Sequence, residues 1–158
     1  MPAIHAKAAI TIPAGVDEVF ATLCDFKNFP RHFTGYGIIP PVSKVELVGT
    51  TTNDVGTQRR VTSADGSVLE ETVLVFEPPH RHHYELYGFA FPASLMVTRG
   101  NSEVHCNQDG DATTVTWHYV FKTASILFYP LAWLVFGFFF ERAMKKALHS
   151  MAESFATR

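Results

Sequence analysis

Residues 113–122 read Thr113-Thr114-Val115-Thr116-Trp117-His118-Tyr119-Val120-Phe121-Lys122. Val115, Trp117, Tyr119 and Phe121 alternate with Thr114, Thr116, His118 and Lys122. A strand sends successive side chains to opposite faces, so one face is strongly apolar and has to cover something. The C-terminal segment supplies the cover. From Ser125 to Arg158 strand punctuation ceases after Pro130, and Phe140, Met144, Leu148, Met151 and Phe155 recur at helical spacing. This predicts one long C-terminal helix with Glu141, Arg142, Lys145 and Lys146 on its polar flank.

Upstream, residues 38–123 show strand texture broken by turn residues. Strands are predicted at 38–48, 55–63, 67–77, 82–91, 95–106 and 112–122, with tight turns at Asp65-Gly66 and Asp109-Gly110. Short connections between consecutive strands imply an antiparallel meander. Nearer the N-terminus, Ile4, Ala6, Ala8, Ile10 and Ile12 share one face of a first strand. Val16, Val19, Phe20 and Leu23 then mark a short amphipathic helix, and Phe26, Phe29 and Phe33 a second short helix or turn interrupted by Pro30. The order is strand, two short helices, six strands, long helix, an α+β arrangement. The 158 residues suit one domain spanning 1–158.

Composition narrows the function. Hydrophobic residues make up 47% and charged residues 18%, which excludes a disordered chain. The net charge of −2 and the lack of a basic stripe argue against a nucleic-acid partner. Cys24 and Cys106 form no ligand-spaced motif, and two isolated cysteines fit a reducing cytoplasm. Met1–Thr11 shows no basic start followed by an apolar run, so no signal peptide is expected. His80, His82 and His83 come directly after Pro78-Pro79 at an expected surface turn and match no zinc spacing; neither a metal nor another cofactor is expected. No G-x-S-x-G or G-x-x-x-x-G-K stretch occurs.

Several local stretches carry a resemblance across essentially the whole chain. They are Ile12-Pro13-Ala14 leading into Val16–Phe20, Val55-Gly56-Thr57-Gln58-Arg59, Glu71-Thr72-Val73 leading to Phe76-Glu77-Pro78-Pro79, and the strand 113–121 before the final helix. In this order they resemble the START-like (SRPBCC) superfamily, near its polyketide cyclase/dehydrase-type branch. The resemblance implies a helix-grip fold: a seven-stranded curved antiparallel sheet wrapped around the C-terminal helix, enclosing a deep cavity. It implies hydrophobic ligands, lipid, isoprenoid or polyketide-like, or a cyclase/dehydratase reaction in the same cavity.

The expected cavity lies between the concave sheet, with Val73, Tyr84, Leu86, Trp117 and Tyr119, and the helix face carrying Phe136, Phe140 and Met144. Tyr84, Trp117, Tyr119 and Phe121 serve either as core or as cavity wall, with hydroxyls and an indole N–H as orienting groups. If Val73 and Val75 face the cavity, parity brings Glu71 there too. A buried carboxylate needs an Arg partner or a raised pKa, and Arg59 and Arg99 are the cations on other strands that could pair with it. Glu71 is the weak candidate for proton transfer; the blander alternative turns it to solvent or the sheet's end. Ala124–Phe140 contains no charged residue over 17 positions, at the lower limit of the roughly 17–25 residues of a spanning helix. Its readings are a fully buried helix start with a covering loop, a membrane span, or a peripheral membrane contact, which would place a cytoplasmic protein at a membrane surface.

Overall fold

The computed structural model describes residues 2–157. Strand β1 (Ala3–Ile12) is followed by α1 (Val16–Leu23) and α2 (Phe29–His32). Six strands come next: β2 (Val42–Val48), β3 (Gln58–Ser63), β4 (Val68–Glu77), β5 (Arg81–Tyr87), β6 (Val97–Asp109) and β7 (Ala112–Thr123). They form one seven-stranded antiparallel sheet in the order β1-β7-β6-β5-β4-β3-β2. β1 closes onto the end of the meander, and its register with β7 brings Ile4, Ala6 and Ala8 opposite Phe121, Tyr119 and Trp117. Small residues on β1 facing large aromatics on β7 leave room for the helix that lies across them.

The C-terminal segment departs from the single uniform helix expected over 125–158. A 3-10 turn (Ile126–Phe128) leads into α3 (Tyr129–Ala132), a π-helical stretch (Trp133–Phe139) and α4 (Phe140–Ala156). Pro130 lies in the first turn of α3, where its missing N–H breaks no helical bond. In the π stretch Gly137 lies under the Trp133 ring, and a Cβ at 137 would meet that ring at 3.1 Å. α4 carries the predicted stripe: Met144, Leu148 and Met151 are fully buried against the sheet, together with Ala143 and Ala147.

Of the strand boundaries that differ from the expected ones, three have identifiable reasons; β6 also runs over Val97–Asp109 rather than 95–106. β2 begins at Val42 rather than 38, because Pro40-Pro41 offers no N–H and Gly35 and Gly37 take positive φ in a tight turn pressed against Phe139. β3 begins at Gln58, after a turn that includes Gly56 at φ +86°. β5 stops at Tyr87 rather than 91, because Gly88 adopts φ +77° and turns the chain away. In α2, Pro30 occupies the first turn rather than interrupting a helix.

Candidate functional site

Cross-strand register assembles the concave face in rows. Leu86, Gly100, Phe121 and Ile4 form one row; Tyr84, Ser102, Tyr119 and Ala6 the next; His82, Val104, Trp117 and Ala8 a third. Gly100 sits where a Cβ would approach the Phe121 ring at 3.1 Å, so the small residue makes space for the aromatic one. On the far side of β5, Arg59 of β3 is directly paired with Glu71 of β4.

Two cavities open on this face. The larger, about 400 Å³, lies between the sheet and the segments 38–42, 89–96 and 135–140. Its walls include Phe33, Leu86, Phe89, Phe121, Phe136 and Phe140. The smaller, about 40 Å³ and called the inner chamber, lies against Cys24, Arg59, His82, Tyr84 and Trp117. Phe29, Val61 and Glu71 belong to both, so these three side chains form a shared wall.

The inner chamber is built around a buried ion pair. Arg59 Nη2 donates to Glu71 Oε2 at 2.8 Å, with both side chains about nine-tenths or more buried. Arg59 Nη1 donates to His82 Nε2 at 3.2 Å. That makes Nε2 the acceptor, so the ring proton resides on Nδ1 and is donated to the Val75 carbonyl at 3.3 Å. Burial, aided by the neighbouring Arg59 cation, holds the His82 imidazole neutral with a pKa lowered to about 3. Burial raises the Glu71 carboxyl, and Arg59 opposes that shift. The guanidinium also stacks over the Tyr84 ring, 4.7 Å from its centroid.

The remaining polar groups on this face satisfy one another. Tyr84 and Tyr119 share a hydroxyl hydrogen bond of 2.7 Å, and Trp117 Nε1 donates to Ser102 Oγ at 2.9 Å. Burial pushes the Tyr84 phenol up to about 12 and raises Tyr119 as well. Burial likewise pushes the Cys24 thiol up to about 12, which leaves it protonated and a poor nucleophile. Arg59 Nε is a buried donor with no hydrogen-bond partner among the described residues.

Arg59, Glu71, Tyr84 and Trp117 thus converge on the inner chamber, while Glu71, Leu86, Tyr119, Phe121, Phe136 and Phe140 line the outer one. Val73 and Met144 line neither cavity: Val73 packs in the sheet at 1% exposure and Met144 on the buried face of α4 at 0%. Strand parity places Glu71 correctly but fails beyond it. A bulge between Val73 and Val75 advances the strand, so Phe76, not Val75, turns inward to pack on Phe20 and His82. Arg99 lies on the opposite face, where it pairs with Glu85.

His82, expected at a surface turn, is a site residue that sequence reasoning missed. It is 3% exposed, and the signal was its spacing of two and four from Tyr84 and Leu86 on a strand that begins at Arg81. The three neighbouring histidines diverge: His82 faces inward, His83 faces Glu103 on the outer side, and His80 meets the Cys106 carbonyl. His118 contacts His5 at 2.9 Å on the outer face.

The apolar run 124–140 is not the fully buried helix start that was one of its readings. Ala132, Val135 and Phe136 are buried, but Leu127 is 78%, Ile126 63% and Trp133 50% exposed, with Leu131 and Leu134 also at the surface. By length and composition Ile126–Ala156 could cross a bilayer. In this fold, spanning would strip Phe136, Met144 and Leu148 from the sheet.

A curled antiparallel sheet gripping a C-terminal helix, with an apolar cavity between them, defines the helix-grip fold. The chain belongs to the family described as polyketide cyclase / dehydrase and lipid transport, whose model matches residues 3–156. Among solved structures it is similar to the Zhui aromatase/cyclase from a Streptomyces species (TM-score 0.76, 17% identity, covering 99% of this chain and 96% of that one). It is also similar to Ara h 8.0201 (TM-score 0.74, 12% identity, 99% and 100% covered). A third is the ginseng major latex-like protein 151 from Panax ginseng (TM-score 0.70, 11% identity, 96% and 97% covered). At these identities the likeness is one of fold. No curated protein matches the sequence.

Proposed function

We infer that this protein binds an apolar small molecule in the outer cavity and holds it without chemical change. One observation carries the reading: a cavity of about 400 Å³ between sheet and helix, walled mainly by Phe, Leu, Ile and Val. That volume falls within the range of small-molecule sites. A guest burying about 300 Å² of apolar surface gains on the order of 7 kcal/mol before the losses of association are subtracted. Glu71, the one acid placed at the junction of the chambers, is engaged by Arg59 rather than free to exchange protons, which favours anchoring over acid–base catalysis.

Ala93 lines the cavity and is only partly buried, so a larger side chain there occupies space that a guest needs. Ala93→Trp is expected to weaken binding of 2-ethylnaphthalene at least tenfold, measured by calorimetric titration, with unchanged circular dichroism. Equal binding by both proteins would place the guest elsewhere.

The exposed face of 126–134 favours a second, compatible reading, in which this face rests on a membrane surface. Leu127, Leu131 and Leu134 are exposed and come just before the cavity-lining Val135 and Phe136 in the chain, and exposed Lys145 and Lys146 follow. An apolar face flanked by lysines suits an anionic interface. The variant Leu127→Ser/Leu131→Ser is expected to lower the affinity for phosphatidylcholine/phosphatidylserine vesicles about thirtyfold or more in co-sedimentation, since the two Leu together contribute roughly 2–4 kcal/mol when buried in lipid. Its unfolding free energy should stay within about 0.5 kcal/mol, because both side chains are already in water. Absence of wild-type co-sedimentation would end this reading.

A further inference from the structure

We propose that the outer cavity selects a cationic amphiphile, with its apolar tail against the phenylalanine wall and its ammonium head at Asp65 in the turn between β3 and β4. The proposal rests on the reading of the outer cavity as the binding site and names the class of guest that site prefers.

The lining of this cavity is polarised. Phe33, Phe89, Phe121, Phe136 and Phe140 pack ring against ring along one part of it. Polar side chains gather instead at the β3–β4 turn, where Ser63, Asp65 and Ser67 line the same cavity. Tyr119, another hydroxyl on the wall, is already bonded to Tyr84. In the sheet, β5 and β6 lie between this turn and the strand that carries Phe121. At the usual strand spacing that separation is at most about 14 Å, a span that a ten-carbon chain covers.

Charge decides the sign of the head. Among the described residues no lysine, arginine or histidine lines this cavity, and of its two acids Glu71 is neutralised by Arg59. Asp65 is exposed and pairs with no cation among the described residues. Ser67 fixes it in place: the Ser67 hydroxyl and backbone N–H donate to Asp65 Oδ1 at 2.6 and 2.9 Å. The same bonds hold the carboxyl below its ordinary value, so it is ionised at neutral pH. An ammonium head there gains a charge-assisted hydrogen bond and keeps the rest of its water shell, whereas a carboxylate head meets repulsion and no cation. An exposed pair of opposite charges is worth up to about fivefold in affinity. Reversing the charge of the head turns that gain into a loss of similar size.

Decylamine, 1-decanol and decanoate test the assignment by calorimetric titration into the wild type and Asp65→Asn at pH 7 and 20 mM NaCl. Asn keeps an oxygen acceptor for Ser67 and removes the charge. The wild type is expected to bind decylamine at least tenfold more tightly than decanoate. In Asp65→Asn that ratio should shrink at least fivefold, and the ratio of decylamine to 1-decanol affinity at least threefold, comparisons in which the hydration of each head cancels. Decanoate binding as tightly as decylamine, or ratios that Asp65→Asn leaves unchanged, overturns the charge selection and leaves the outer cavity intact. Failure of all three chains to bind instead removes the reading beneath it.

Discussion

Glu71→Ala is expected to lower the unfolding free energy by about 3–5 kcal/mol, the usual result of stripping one partner from a buried ion pair. The variant leaves the Arg59 guanidinium about 95% enclosed, its Nη2 without an acceptor and its Nε already unmatched. Little water can reach it, so the loss arises from a desolvated charge rather than a missing contact. Glu71→Gln keeps an oxygen at the same place and should lose less, about 1–3 kcal/mol, because a neutral acceptor still takes the Nη2 hydrogen. Arg59→Met/Glu71→Leu removes both charges and fills comparable volume, and should recover most of the single-variant loss. Urea unfolding of the four proteins checks the order. If Glu71→Ala unfolds at the wild-type midpoint, the pair is not buried in solution, and the inner chamber loses its polar anchor.

The pair shows how far a sequence can be read and where it stops. Alternation in β7 is local information, and it correctly announced an apolar face for a helix to cover, since Trp117, Tyr119 and Phe121 are all buried. Parity from Val73 carried Glu71 onto the concave face, and an opposite charge for it was available on β3. The same parity failed two residues on, because the bulge after Val73 depends on how β4 meets β5 and leaves no mark in β4 alone. His82 was lost to its neighbours. The predicted strand 82–91 already contained it, but its closeness to Pro78-Pro79 and to His80 and His83 made it look like part of a surface turn. It is the second residue of β5 and shares a face with Tyr84 and Leu86. The mutual bonding of Tyr84 with Tyr119, and of Trp117 with Ser102, joins residues on different strands that no spacing rule connects. Those pairings remove most of the polar groups that the sequence offered for ligand orientation. The apolar run 124–140 posed a different difficulty. Composition reports how greasy a helix is, but which of its faces is covered depends on the sheet beneath, and here Val135 and Phe136 face inward while Leu127 and Leu131 do not.

His82 should make the fold acid-sensitive in a window where carboxylates are still ionised. Its folded pKa lies near 3 against 6.5 when exposed, so below 6.5 the unfolded chain takes up a proton that the folded chain refuses. Stability contributed by the neutral ring is therefore fully present above pH 6.5 and is lost as pH falls toward 3, at about 1.4 kcal/mol per pH unit. Between pH 6.5 and 5 the expected loss from this residue is about 2 kcal/mol. His32 and His118 are also held below the ordinary imidazole value, chiefly by burial, and act in the same direction. Glu71 acts in the opposite one, because its carboxyl is raised and the folded state gains a proton earlier than the unfolded chain as pH falls. All three remain in His82→Gln, whose amide oxygen can still accept from Arg59 Nη1, so subtracting the two pH profiles isolates the one ring. The wild type should lose about 2 kcal/mol more than His82→Gln between pH 6.5 and 5 in urea unfolding. Parallel profiles would mean that the imidazole charges in place, and a charged His82 beside Arg59 would repel the guanidinium and alter the donor that any ligand meets in the inner chamber.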